Sequence, residues 1–132
     1  VGKTLRVKGA GVFTNASGSS ALVTLTISVL GTAVVIATAA DVITAITNGQ
    51  FNFEMNFTTV SAGATGTVEA HGVLNIQKSA TLTVALQTIA DQITAVSGAI
   101  DLTAAGNLLI QFTSSQTLSS LTLRQASIEI LN

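Results

Sequence analysis

An all-β fold, an antiparallel sandwich of eight strands in jelly-roll order, is what this sequence predicts, and three observations predict it. Apolar side chains recur at every second position through most of the chain. Short glycine-containing segments punctuate these alternating runs, as turns between strands do. Cys and Trp, which mark an immunoglobulin core, are absent, so strand number and length fit a jelly roll or a related sandwich better. A chain of 132 residues forms one domain, 1–132, and buries about two-thirds of the surface its unfolded form exposes.

The first strand is read from Thr4 to Phe13: Leu5, Val7, Gly9, Gly11 and Phe13 share one face, and Arg6 and Lys8 point the other way. In the second, Val23, Leu25, Ile27 and Val29 alternate with Thr24, Thr26 and Ser28, and Leu30-Gly31-Thr32 turns the chain. A weaker strand is expected over Asp41–Ile46, followed by a turn at Asn48-Gly49. Phe51, Phe53, Met55 and Phe57 then alternate with Asn52, Glu54 and Asn56, the clearest period of two in the chain. Across the loop Ala62–Gly66, Val68, Ala70, Gly72, Leu74 and Ile76 oppose Thr67, Glu69, His71 and Asn75. Leu82, Val84 and Leu86 make a shorter run. Ile89, Ile93, Val96 and Ile100 recur at helical spacing, but local Thr and β-branched residues favour an irregular loop over a helix at 88–97. Leu108, Ile110 and Phe112 form the penultimate strand. In the last, Leu121 and Leu123 shift phase to Ala126, Ile128 and Ile130, and the slip near Arg124-Gln125 predicts a β-bulge. Jelly-roll order pairs the first strand with the last, Ala21–Leu30 with Leu108–Thr113, and makes a hairpin of Phe51–Val60 and Thr67–Gln77.

Composition narrows the function. Only 8% of residues are charged, against about a quarter in ordinary domains, while Ser and Thr together number 32. Such a chain presents a neutral, hydroxyl-rich surface or covers much of its surface with partners. A net charge of −1 argues against nucleic-acid binding, which rests on clustered Lys and Arg. The longest apolar run, Ala33 to Ala37, is five residues, far short of the ~20 a spanning helix needs, and without Trp or Tyr there are no aromatic girdles for a membrane barrel. No membrane partner is therefore expected.

The inventory for chemistry is thin, and no enzyme activity, cofactor or metal is expected. His71 is the single histidine, and it shares an outward face with Glu69. Glu54 on the neighbouring strand lies opposite or diagonal to it, so Glu54 and His71 could form an outer-face polar pair. The carboxylates are too dispersed for a calcium loop. Arg6, Lys8 and Arg124 would gather into a cationic docking patch if the first and last strands pair. Ala33, Val35, Val73, Ala85 and Leu109 break the polar alternation of outward positions, which predicts a second covered surface and hence self-association.

Read in order, the opening Val1–Gly11 segment, the Val23–Leu30 run closed by Gly31, Asn52-Phe53-Glu54-Met55 leading to Gly63–Thr67, and Asp101-Leu102-Thr103 leading to Leu108–Phe112 resemble tailed-bacteriophage virion proteins with a trimeric, tumour-necrosis-factor-like jelly roll. The likeness covers nearly the whole chain through strand and turn signatures. Members often have a Trp in the strand matching Leu108–Phe112, where this chain has Gln111-Phe112. The resemblance implies a non-enzymatic capsid decoration (cement) protein, a homotrimer on the outer capsid surface whose partners are itself and the major capsid protein. The alternative it leaves is a receptor-binding head or tail fibre tip. A bacterial adhesin or pilus subunit shares the composition, but such subunits accept a donated strand, and the full strand set from Thr4 to Leu131 is expected to need none.

Overall fold

The computed structural model describes residues 2–17, 21–42, 45–77, 87–90, 99–116 and 120–131, with backbone alone at 21, 35–42 and 87–90. Among these residues eight strands run in chain order as β1 (Thr4–Asn15), β2 (Ala21–Val29), β3 (Thr32–Val42), β4 (Ile46–Ser61), β5 (Thr67–Ile76), β6 (Gln87–Ala90), β7 (Leu108–Ser114) and β8 (Ser120–Leu131). They form two antiparallel sheets, one of five strands in the order β6-β5-β4-β1-β8 and one of three in the order β3-β2-β7. The sheets share one core, in which Phe112 of the smaller sheet packs tilted against Phe51 and Phe53 of the larger, ring centroids 4.9 and 6.2 Å apart. Three expected pairings are present: β1 with β8, β2 with β7, and the β4–β5 hairpin. That hairpin extends the sheet of β1 and β8, so the strands divide five and three, and among the described residues β8 has a neighbour on one side only.

Period two sorts the side chains as expected. Val7 and Phe13 of β1, Val23, Leu25 and Ile27 of β2, Phe51, Phe53, Met55 and Phe57 of β4, and Val68, Ala70, Leu74 and Ile76 of β5 are buried together. Glycine makes room for the largest of them. Gly9 pairs with Phe53, Gly11 with Phe51, Gly49 with Phe13 and Gly72 with Met55. A Cβ on Gly11 would stand 2.7 Å from Phe51 Cζ, and one on Gly49 would stand 2.9 Å from Phe13 Cζ. The big side chains thus lie flat across the neighbouring strand, filling the layer beneath a sheet whose own side chains would otherwise collide. The β2–β3 hairpin turns through Leu30 (φ 51°) and Gly31 (φ 83°), the pair of left-handed residues that a two-residue turn matching strand twist requires.

The structure corrects the expected elements at three places. Thr32–Val42 is a full strand, β3, and the ends of the weak strand expected over Asp41–Ile46 fall in two strands: Asp41 and Val42 close β3, and Ile46 opens β4 after a left-handed Ala45 (φ 55°), while residues 43–44 lie outside those described. Asn48-Gly49 is not a turn but an irregularity within β4. Asn48 has φ 53° and its backbone N–H donates to Thr14 Oγ1 at 3.3 Å, while the buried Gly49 leaves space for Phe13. Thr88–Ala90, read as the start of a loop, belong to strand β6, with Ile89 opposite Leu74. The run Leu82–Leu86 and residues 91–98 lie outside the described residues. The bulge expected in the last strand is present: Ala10 pairs with Gln125 and Gly11 with Leu123, leaving Arg124 as the extra residue.

Candidate functional site

The outer face of the five-stranded sheet gathers most of the charge that the described residues carry. Strand register sets the pairs, since Arg6 stands across from Asn56 on one side and Glu129 on the other, and Lys8 stands across from Glu54. Arg6 Nε donates to Asn56 Oδ1 at 3.1 Å and lies 3.2 Å from Glu54 Oε1, and Arg6 Nη1 lies 3.7 Å from Glu129 Oε2. Lys8 Nζ is 3.6 Å from Glu54 Oε2. Asn75 Nδ2 donates to Asn52 Oδ1 at 2.8 Å, and the hydroxyls of Thr4 and Thr58 share a bond of 3.1 Å. All these groups are at least partly exposed, so each ion pair contributes no more than about 1 kcal/mol.

Of the docking patch, Arg6 and Lys8 do stand side by side, but they are neutralised by Glu54 and Glu129. Arg124 stands in the β8 bulge, exposed. The patch is thus an ion-pair ladder with one peripheral cation, not a concentrated positive field. Glu54 pairs across the strands with Val73, which places it diagonal to His71, whose own cross-strand neighbour is Asn56. Both Glu54 oxygens turn toward β1, and His71 Nε2 meets Glu69 Oε1 of its own strand at 3.1 Å. The polar pair at His71 is therefore with Glu69. His71 is half-exposed, and the pair forms an ion pair only when the imidazole is protonated.

A second polar cluster ties the two sequence signatures at Gly63–Thr67 and Asp101–Thr103 together. Asp101 Oδ1 accepts the backbone N–H of Thr103 at 3.0 Å and its hydroxyl. These bonds, the hydroxyl foremost, hold the Asp101 carboxyl below its ordinary value of 3.8. The turn presents Leu102 to Gly66, where a Cβ would stand 2.6 Å from Leu102 Cδ1. Backbone bonds from Ile100 N to Gly66 O (2.8 Å) and from Leu102 N to Gly63 O (3.1 Å) strap the β4–β5 turn. Among the described residues no group of three His, Cys, Asp or Glu side chains is gathered, and no helix is long and apolar enough to cross a membrane.

The seam between β7 and β8 is the feature that the sequence did not reveal. The three-stranded sheet ends at β7, and the five-stranded sheet continues past it with β8. Leu121, Leu123, Ala126, Ile128 and Ile130 pair with Phe13, Gly11, Gly9, Val7 and Leu5, so they stand on the core side of the sheet. Yet Leu123 is 42% exposed, Ile128 59% and Ile130 73%, three of the six exposed large apolar side chains among the described residues. At the Leu121–Leu123 end an open groove of about 430 Å³ is lined by Ile110, Phe112, Leu121 and Leu123, with Ser114 and Ser120. β8 thus has a core-side face that the facing sheet leaves open. Of the outward apolar positions, Leu109 (55%) and Ala33 are exposed and Val73 is half-buried, while the side chains of Val35 and Ala85 lie outside those described.

No protein family matches this chain, and comparison with curated proteins and with solved structures finds no match either.

Proposed function

We propose that this chain is a non-enzymatic structural domain of a tailed-bacteriophage virion: a capsid decoration protein that forms a homotrimer on the outer capsid surface and bears on the major capsid protein. The observation that carries the assembly role is β8, a twelve-residue strand whose core-side apolar face is built and then left uncovered by the chain's own second sheet. Isolated surface apolar residues are ordinary, but a row of them continuous with the core is interface material. The charged groups brought together on the opposite face are engaged with one another, which suits a quiet, neutral exterior more than a reactive site. The phage virion context comes from the sequence resemblance. The jelly-roll reading of the sandwich is supported by the β1–β8 and β2–β7 pairs, and the free edge of β8 is where the chain departs from a fold closed on that side.

Imaging the virion tests the role. Reconstruction of particles with and without the gene product should show density for this domain over the outer shell at three-fold positions. Density at a fibre or tail tip would replace the cement role with receptor binding, and absence from the particle would remove the virion role altogether.

A further inference from the structure

We infer that a second copy of this chain covers β8, by antiparallel pairing of β8 with β8 across a two-fold axis at Ala126. The contact goes beyond the three-fold association proposed above; it draws on the same uncovered face of β8 and assigns that face to a two-fold contact. Its occupant follows from the way the two halves of β8 complement each other. The first half, Leu121–Leu123, borders the open groove against Ile110 and Phe112, and the second half carries Ile128 and Ile130, the most exposed of the row, with Ile130 at the rim of a smaller groove beside Leu5 and Val29. An antiparallel copy sets each exposed half beside the other copy's larger groove, twice by symmetry, which is the self-complementarity that a two-fold interface demands.

One register opposes all five core-side positions of the strand. With Arg124 as the extra residue of the bulge, the core-side positions of β8 are Leu121, Leu123, Ala126, Ile128 and Ile130. Opposed residues in an antiparallel pair share a face, so core-side must meet core-side. Centred on Ala126, Leu121 meets Ile130 of the second copy, Leu123 meets Ile128, and Ala126 meets itself. On the outer face Gln125 meets Ser127 and Thr122 meets Glu129. Arg124, in the bulge between Gln125 and Thr122, then stands diagonal to Glu129 of the second copy, within reach of a long side chain. Glu129 holds Arg6 only at 3.7 Å and has a second oxygen to offer. No like charges face each other in this register, because Arg124 and Glu129 are the only charged residues of β8. The free backbone edge of β8 supplies the ladder hydrogen bonds, joining two five-stranded sheets into one.

The absence of cysteine from the sequence makes the test direct. Opposed Cα atoms in an antiparallel pair are about 4.5–5.5 Å apart, inside disulfide range. Ala126→Cys should therefore convert completely to a covalent pair under mild oxidation at micromolar protein. Thr122→Cys should not, since its two copies would be separated by about six strand positions, roughly 20 Å. Ile128→Lys, added to Ala126→Cys, should slow the linkage at least about tenfold by charging the covered face. Circular dichroism on each variant confirms the fold. An Ala126→Cys protein that stays unlinked while its thiol reacts freely with a small reagent overturns the pairing. So does equal linkage through Thr122→Cys, which would signify random collision, and so does linkage that stops at two-thirds of the chains, which would put β8 on a three-fold axis. Linkage only to a coat subunit in assembled particles would assign the face to that partner.

Discussion

Gly11 illustrates how single residues decide this core. A methyl group there would meet the Thr122 carbonyl oxygen of β8 as well as the Phe51 ring, so neither the backbone nor the aromatic layer can give way cheaply. Gly11→Ala should therefore destabilise the fold by about 1–3 kcal/mol, the usual cost of overpacking. Phe53→Ala, which empties the layer under Gly9, should cost about 3–5 kcal/mol. Asn52→Ala and His71→Ala, on the opposite face, should each stay within about 0.5 kcal/mol. Urea unfolding of the four variants checks the ranking, and a reversed order between Phe53 and Asn52 would mean a register shifted by one residue. Asp101 provides a pH signature. Its carboxyl is depressed in the folded state by the Thr103 bonds, so its stabilising contribution is complete above the ordinary value of 3.8 and is lost as pH falls through the lowered one. Asp101→Asn should flatten that part of the acid limb. Thermal unfolding between neutral pH and pH 2, compared with the parent chain, reads the difference.

At the level of elements, the strands that were legible are those with one buried and one solvated face. In β1, β2, β4 and β5 the pattern of two fixes both the element and its buried set, and at Arg124 a slip of phase fixes even a bulge. β3 was hidden because Val34-Val35-Ile36-Ala37 runs apolar without alternation, which leaves no period to read. β6 was hidden because four residues with Ile89 as their only large apolar side chain are also compatible with a helical spacing. Exposure along β8 was illegible for a different reason. Sequence tells which side chains share a face of a strand, but not how many strands the facing sheet contains, and only the five-to-three division leaves Ile128 and Ile130 uncovered. Period two puts Arg6 and Lys8 on one face, but only register shows that Glu54 and Glu129 stand beside them. Because that ladder is exposed, Glu54→Gln should cost no more than about 1 kcal/mol at low salt and less still at high salt. Chemical unfolding at two ionic strengths checks this, and a larger, salt-independent loss would make the ladder a structural element of the sheet.

For the whole molecule, composition and architecture both favour the proposed association. A neutral surface rich in Ser and Thr limits charge repulsion between copies, and the unequal sheets leave an apolar strip that a lone chain exposes to water. The most direct measurement of this account is the mass of the purified chain by static light scattering at micromolar concentration. The expected species is built on trimers, about 40 kDa for one trimer of 13.3 kDa chains, or twice that where trimers also join through β8. A monodisperse 13.3 kDa monomer across that concentration range would contradict it.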